Sequence, residues 1–89
     1  MRQMLDKKQV LTAVRFGSTK LWAEIGAGTF PPPVKIGRMC AWPDDEVAAI
    51  NDARIARCSD TQIQRLVSAL VRRRESAAKK HFEEAGIAA

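Results

Sequence analysis

Three consecutive prolines, Pro31, Pro32 and Pro33, follow Phe30 in a chain of only 89 residues. Each removes a backbone donor and pushes its predecessor toward extended conformations, so no helix runs through this point. Helical text before it and helical text after it must meet around one small core. A chain this short hides only about 60% of its unfolded surface, so a deep enclosed active site is hard to build and a large enzyme is not expected.

Before the prolines, Val10, Leu11 and Val14 recur at helical spacing and predict a first short helix from about Asp6 to Ala13. Gly17 and Ser18 interrupt it, and either can cap a second helix through Thr19, Lys20, Leu21, Trp22, Ala23, Glu24 and Ile25, ending at Gly26-Ala27-Gly28. Two brief helices separated by three or four residues have the spacing of a helix-turn-helix. After the prolines, Val34-Lys35-Ile36 and Met39-Cys40-Ala41-Trp42 flank a turn at Gly37-Arg38. That pattern predicts a two-stranded β-hairpin with basic residues near its tip, a wing.

Pro43 opens a third helix, with Val47, Ile50 and Ala53 or Arg54 recurring every three or four residues and an end near Arg57. The acidic residues Asp44, Asp45 and Glu46 fall in its first turn, where carboxylates are stabilised by exposed amide groups, and we read them as a helix start. Ser59 followed by Gln62 is a capping box for a fourth helix that continues to about Ala85, with Gly86 as its stop. At ~1.5 Å per residue such a helix is about 39 Å long, so its far end projects, frays or meets another molecule. The fold class expected is mainly α. It comprises a small winged helix-turn-helix domain over residues 1–58, with a two-stranded hairpin wing, and an added long, basic helix over residues 59–89.

Fifteen Lys and Arg against ten Asp and Glu give a net charge of +5, with the positive charge gathered at the two ends of the chain. This balance favours an anionic partner, nucleic acid or an acidic protein face. Cys40, Cys58 and the single histidine, His81, cannot assemble a tetrahedral ligand set, and they offer no nucleophile–base pair. No metal, cofactor or enzymatic activity is expected. Apolar runs are only a few residues long, so no membrane span or signal peptide is read, and a cytosolic protein with reduced thiols is the expectation.

A helix-turn-helix followed by a hairpin suits duplex DNA, because a helix fits the major groove while a two-stranded ribbon reaches the backbone or the neighbouring minor groove. Ser18, Thr19, Lys20 and Ala23 are the outward candidates on the second helix, and Leu21 and Ile25 the inward pair. Lys20 can donate to guanine or phosphate, and Arg15 on the turn can hold a phosphate. Lys35 and Arg38 are the anion contacts of the wing. Trp22 and Trp42 are assigned to the core, as tryptophan in so small a domain usually is.

Five segments carry a family resemblance: Lys8-Gln9-Val10, Gly17-Ser18-Thr19-Lys20-Leu21-Trp22, Gly28-Thr29-Phe30-Pro31-Pro32-Pro33-Val34-Lys35-Ile36-Gly37, Ala41-Trp42 and Glu46-Val47. Together they resemble the AlpA family of phage and prophage regulators, which is related to excisionases and to the DNA-binding region of MerR-type regulators. The resemblance covers roughly Gln9 to Ala53 and implies a winged helix-turn-helix that binds specific duplex sites. It further implies a transcription regulator or a recombination directionality factor, the latter working with an integrase. Ser18-Thr19-Lys20 fits the family's Ser/Thr/Arg-rich start to the recognition helix. Ala23 or Ala27 stands where an arginine is often found, and Phe16 stands where a small polar turn residue is often found, so the family's base preference does not transfer.

The fourth helix lies outside this resemblance. Its stripe of Ile63, Leu66, Val67 and Leu70 can fold back over the core, the simpler use, or form a dimer seam, and both can apply in turn along one helix. Arg72, Arg73 and Arg74 point about 100° apart, so they cannot all meet one surface, and they read equally as a solvated face or a second DNA-contacting strip. An alternative function follows: a protein-interaction adaptor whose basic fourth helix docks an acidic partner.

Overall fold

A computed structural model describes residues 2–88. In chain order it has strand β1 (Met4–Asp6), helices α1 (Lys7–Val14) and α2 (Ser18–Ala27), strands β2 (Val34–Ile36) and β3 (Met39–Pro43), and helices α3 (Asp44–Ile55) and α4 (Asp60–Ala85). The chain is mainly helical with a small antiparallel sheet in the order β1-β3-β2. The expected hairpin is formed by β2 and β3, and β1 adds a third strand that the sequence did not announce. β1 has only three residues and no readable alternation, and it becomes a strand because β3 offers it a free edge, pairing Leu5 with Trp42 and Asp6 with Ala41.

Local chemistry sets the helix ends. Asp6 caps α1, accepting from the Gln9 amide at 2.8 Å while the Gln9 side chain accepts from the Asp6 amide at 2.9 Å. Ser59 and Gln62 form the same reciprocal box at the start of α4, at 3.2 and 2.8 Å. Gly28 ends α2 at φ +79°, a left-handed conformation that costs glycine least. Side chains from other elements satisfy two of the remaining orphan carbonyls: Asn51 of α3 donates to Ala13 at 3.2 Å, and Gln64 of α4 donates to Ala27 at 3.0 Å.

The core gathers Val10, Leu21, Phe30, Trp42, Val47, Ile50, Ile63, Val67 and Leu70. The start of α4 thus folds back over the same core, while every described residue from Glu75 onward is exposed. The prolines become part of the packing: Pro31 is fully buried and its carbonyl accepts from Trp42 Nε1 at 3.0 Å. Phe30 stands between Phe16 and Trp42, with ring centroids 6.3 and 6.4 Å away. Trp22 departs from expectation. It is 42% exposed and leans on Trp42 with centroids 6.3 Å apart, because Leu21, not its neighbour, takes the inward position on α2.

The acidic cluster does start α3, and Glu46 does more: it is completely buried. Arg74 of α4 donates to both its carboxylate oxygens, from Nη2 at 2.5 Å and from Nε at 2.9 and 3.2 Å. The same Nη2 reaches the Pro32 carbonyl at 2.9 Å. Arg74 therefore belongs neither to a solvated face nor to a free basic strip.

At the rim of this pair, Arg2 Nε meets Asp45 at 2.9 Å. Burial pushes the Asp45 carboxyl up, but the hydrogen bond and charge of Arg2 outweigh it and hold the group below 3.8. A depressed carboxylate stabilises the fold above its unfolded pKa, and that contribution is lost as pH falls through the folded value. Both partners are about two-fifths exposed, so solvent screening keeps the effect under about 1 kcal/mol. Asp45→Asn is expected to lower Tm by about 1–5 °C at pH 7, with the gap to the native chain closing in scans carried below pH 3.8.

Candidate nucleic-acid interface

Three residues, Arg15 to Gly17, join α1 to α2. Arg15 caps α1 in a left-handed conformation, φ +65°, with its amide bonded to the Leu11 carbonyl at 3.0 Å. Its side chain is exposed. Gly17 precedes α2 in an extended conformation and supplies no side-chain cap, so the first amides of α2 are not covered by a capping side chain. Thr19, Lys20 and Ala23 are exposed and Ser18 half-buried, while Leu21 is buried and Ile25 packs against the core. Leu21 and Ile25 thus face inward and Thr19, Lys20 and Ala23 outward as expected, whereas Ser18 is only partly exposed and Trp22, on the same helix, lies at the surface.

Lys20 has neighbours that its spacing did not reveal. Its Nζ lies 4.0 Å from Glu24 and 5.9 Å from the centre of the Phe16 ring. Glu24 is shared: Arg54 of α3 approaches it at 3.1 Å, and the Thr29 hydroxyl donates to its carboxylate and to its backbone carbonyl. One carboxylate thus gathers two cations beside a groove lined by Val14, Phe16, Asn51 and Arg54.

Two residues, Gly37 and Arg38, make the hairpin turn, with Gly37 at φ +62°. Such a turn fixes the register, which sets Lys35 opposite Cys40, Ile36 opposite Met39 and Val34 opposite Ala41. Directly paired residues share a face, and residues two apart along a strand share it too, so Lys35, Cys40 and Trp42 lie on one side of the sheet. That is the side on which Trp22 of α2 leans against Trp42. On the other side, Ile36 and Met39 flank the tip, 54% and 66% exposed. Their exposure was missed, although a two-residue turn at Gly37-Arg38 already implies that they face each other beyond the reach of the core.

Arg15, Lys35 and Arg38 are exposed, and among the described residues none has a carboxylate within 4.0 Å. Cys40 and Cys58 are free thiols packed against the core, and His81 lies on the exposed part of α4. Among the described residues no group of three His, Cys, Asp or Glu could hold a metal ion, and no helix is long and apolar enough to cross a membrane. Family models, curated proteins and solved structures yielded no match to this chain.

Proposed function

We propose that this chain is a winged helix-turn-helix protein that binds specific sites in duplex DNA. In this reading it is a regulator or excisionase-type factor of a mobile element, as its resemblance to the AlpA family implies. What supports the reading is a set of exposed cations without carboxylate partners, Arg15 at the turn before α2 and Lys35 and Arg38 on the hairpin, together with the packing of Trp22 of α2 on Trp42 of that hairpin. In this docking α2 enters the major groove with Ser18, Thr19 and Lys20 foremost, Arg15 holds backbone, and the hairpin tip reaches phosphate or the adjacent minor groove.

A module of this size meets about 4–6 phosphates, so log affinity against log salt should fall with a slope of about −4 to −5. Lys20→Ala is expected to shift site preference, weakening the best site by about 1–3 kcal/mol. Arg38→Ala is expected to weaken all sequences alike and to make the salt slope shallower by about 1. Both should leave Tm within about 4 °C of the parent, since neither side chain is buried. Mobility-shift titrations at several salt concentrations check this, and native affinity in both variants would rule the docking out. Binding to an acidic protein through α4 is the second reading, favoured by the exposed Arg72, Arg73, Lys79 and Lys80. Removing residues 75–89 together with Arg72→Ala and Arg73→Ala leaves every core residue in place and separates the two: DNA binding should survive, whereas capture by an acidic partner should fall away.

A further inference from the structure

Ile36 and Met39 face each other across the last rung of the hairpin before its turn, 54% and 66% exposed. Neither belongs to the core or to the partly buried residues packed against it. On the same face, one rung further back, stand Val34, half-buried, and Ala41, buried, so the pair crowns a ribbon that is seated on the body. Directly opposed side chains lie about 5 Å apart at Cβ, which makes the two a single apolar edge. Lys35 and Arg38 each precede one of them in the chain, both are exposed, and among the described residues neither has a carboxylate within 4.0 Å. The tip thus presents an apolar point between unpartnered cations, the complement of a cleft that is narrow, apolar within and anionic at its walls.

We propose that Ile36 and Met39 form a wedge that enters the minor groove of duplex DNA and inserts between two base pairs, kinking the duplex. The wedge rests on the DNA reading above and adds to it what the hairpin tip does in the groove. The pair is too small for a protein interface, which takes about 800 Å² from each partner. It also carries less hydrocarbon than one myristoyl chain, which by itself holds a protein on a bilayer only marginally. A base step asks for little area, because its flat faces part to admit one or two aliphatic side chains, isoleucine and methionine among them. Phosphates line both walls of the groove, where Arg38 at the turn and Lys35 on the opposite face of the ribbon can meet them. Strands about 4.8 Å apart match the minor groove, about 6 Å wide, better than the major groove at about 12 Å, and a kink toward the major groove opens the minor one further. Sites with a TA or CA/TG step under the tip should be favoured, since these steps unstack most readily.

The test titrates the full chain against two duplexes of about 30 base pairs, labelled at both ends for energy transfer, one fully paired with a central TA step and one with a central mismatch. The parent should raise energy transfer on the paired duplex, as a bend of about 20–90° would, and bind the mismatched one at least about tenfold more tightly, because its unstacking costs less. Ile36→Thr combined with Met39→Gln should abolish the bend and cut the preference to under about twofold, with salt slope and Tm unchanged, since both side chains are exposed and uncharged. Arg38→Ala should weaken both duplexes alike and keep the preference. A parent that binds with the expected salt slope, yet neither bends the duplex nor prefers the mismatch, overturns the wedge and leaves the DNA reading standing. A double variant that bends and prefers as the parent does has the same consequence. Binding to neither duplex overturns both. Flotation with vesicles of phosphatidylglycerol and phosphatidylcholine completes the test: lipid binding by the parent that the double variant loses would assign the pair to a membrane surface, and the wedge would be wrong.

Discussion

Arg74→Ala is expected to cost about 3–5 kcal/mol, the range for removing one member of a buried ion pair and leaving the other uncompensated. Glu46 has no exposure to solvent, and the fork of Arg74 is its closest charge, with Arg2 a further 3.8 Å contact at the rim. Without Arg74 the carboxylate must find water in a packed interior or take up a proton. Arg74→Lys should recover only part of the loss, because an ammonium cannot span both carboxylate oxygens and the Pro32 carbonyl as the guanidinium does. Replacing both members together, with Glu46→Leu and Arg74→Met, should come much closer to the native stability, since no charge is then left buried. Arg73→Ala, one residue away and exposed, should stay within about 0.5 kcal/mol. Urea titrations of the four variants measure these differences, and an Arg74→Ala loss below about 1 kcal/mol would show that the pair does not hold α4 to the domain.

The contrast between Arg74 and Arg73 marks where sequence reading stops. Asp6, Ser59, Gly28 and Gly86 announce helix ends because their chemistry acts on amides or dihedrals a few residues away, and the structure has all four at helix termini. Leu21 against Thr19, and the turn at Gly37-Arg38, were readable for the same reason. A run of three arginines contains no local instruction about which one turns inward. That is decided by Glu46, 28 residues earlier in the chain, and by the angle at which α4 crosses α3. The third strand, the exposure of Trp22 and the neighbours of Lys20 share this origin: each depends on an element brought near by the fold. Around the candidate interface, the exposure of Arg15, Lys20, Lys35 and Arg38 was legible from turn positions and charge, whereas the sharing of a sheet face by Lys35 and Trp42 needed the register and the packing together.

Trp42→Ala should be as damaging as the loss of Arg74, by about 3–5 kcal/mol, and for a different reason. Trp42 is fully buried near the end of β3, where it pairs with Leu5, packs on Phe30 and Trp22, and donates its indole N–H to the Pro31 carbonyl. Truncation opens a large cavity and removes the partner of a carbonyl that sits within the proline segment. Trp42→Phe keeps most of the volume but still orphans that carbonyl, so an intermediate loss of about 1–3 kcal/mol is expected. Trp22→Ala should cost less than either, because 42% of its surface is already in water. Fluorescence separates the two indoles: the Trp22→Ala protein should emit from a buried tryptophan at short wavelength, and the Trp42→Phe protein from a half-exposed one at longer wavelength. Trp42 joins the hairpin to α2, so its loss should also disturb duplex affinity in whatever fraction stays folded, whereas Trp22→Ala leaves the strand register intact. Equal destabilisation by Trp22→Ala and Trp42→Ala in urea would mean that both rings are core.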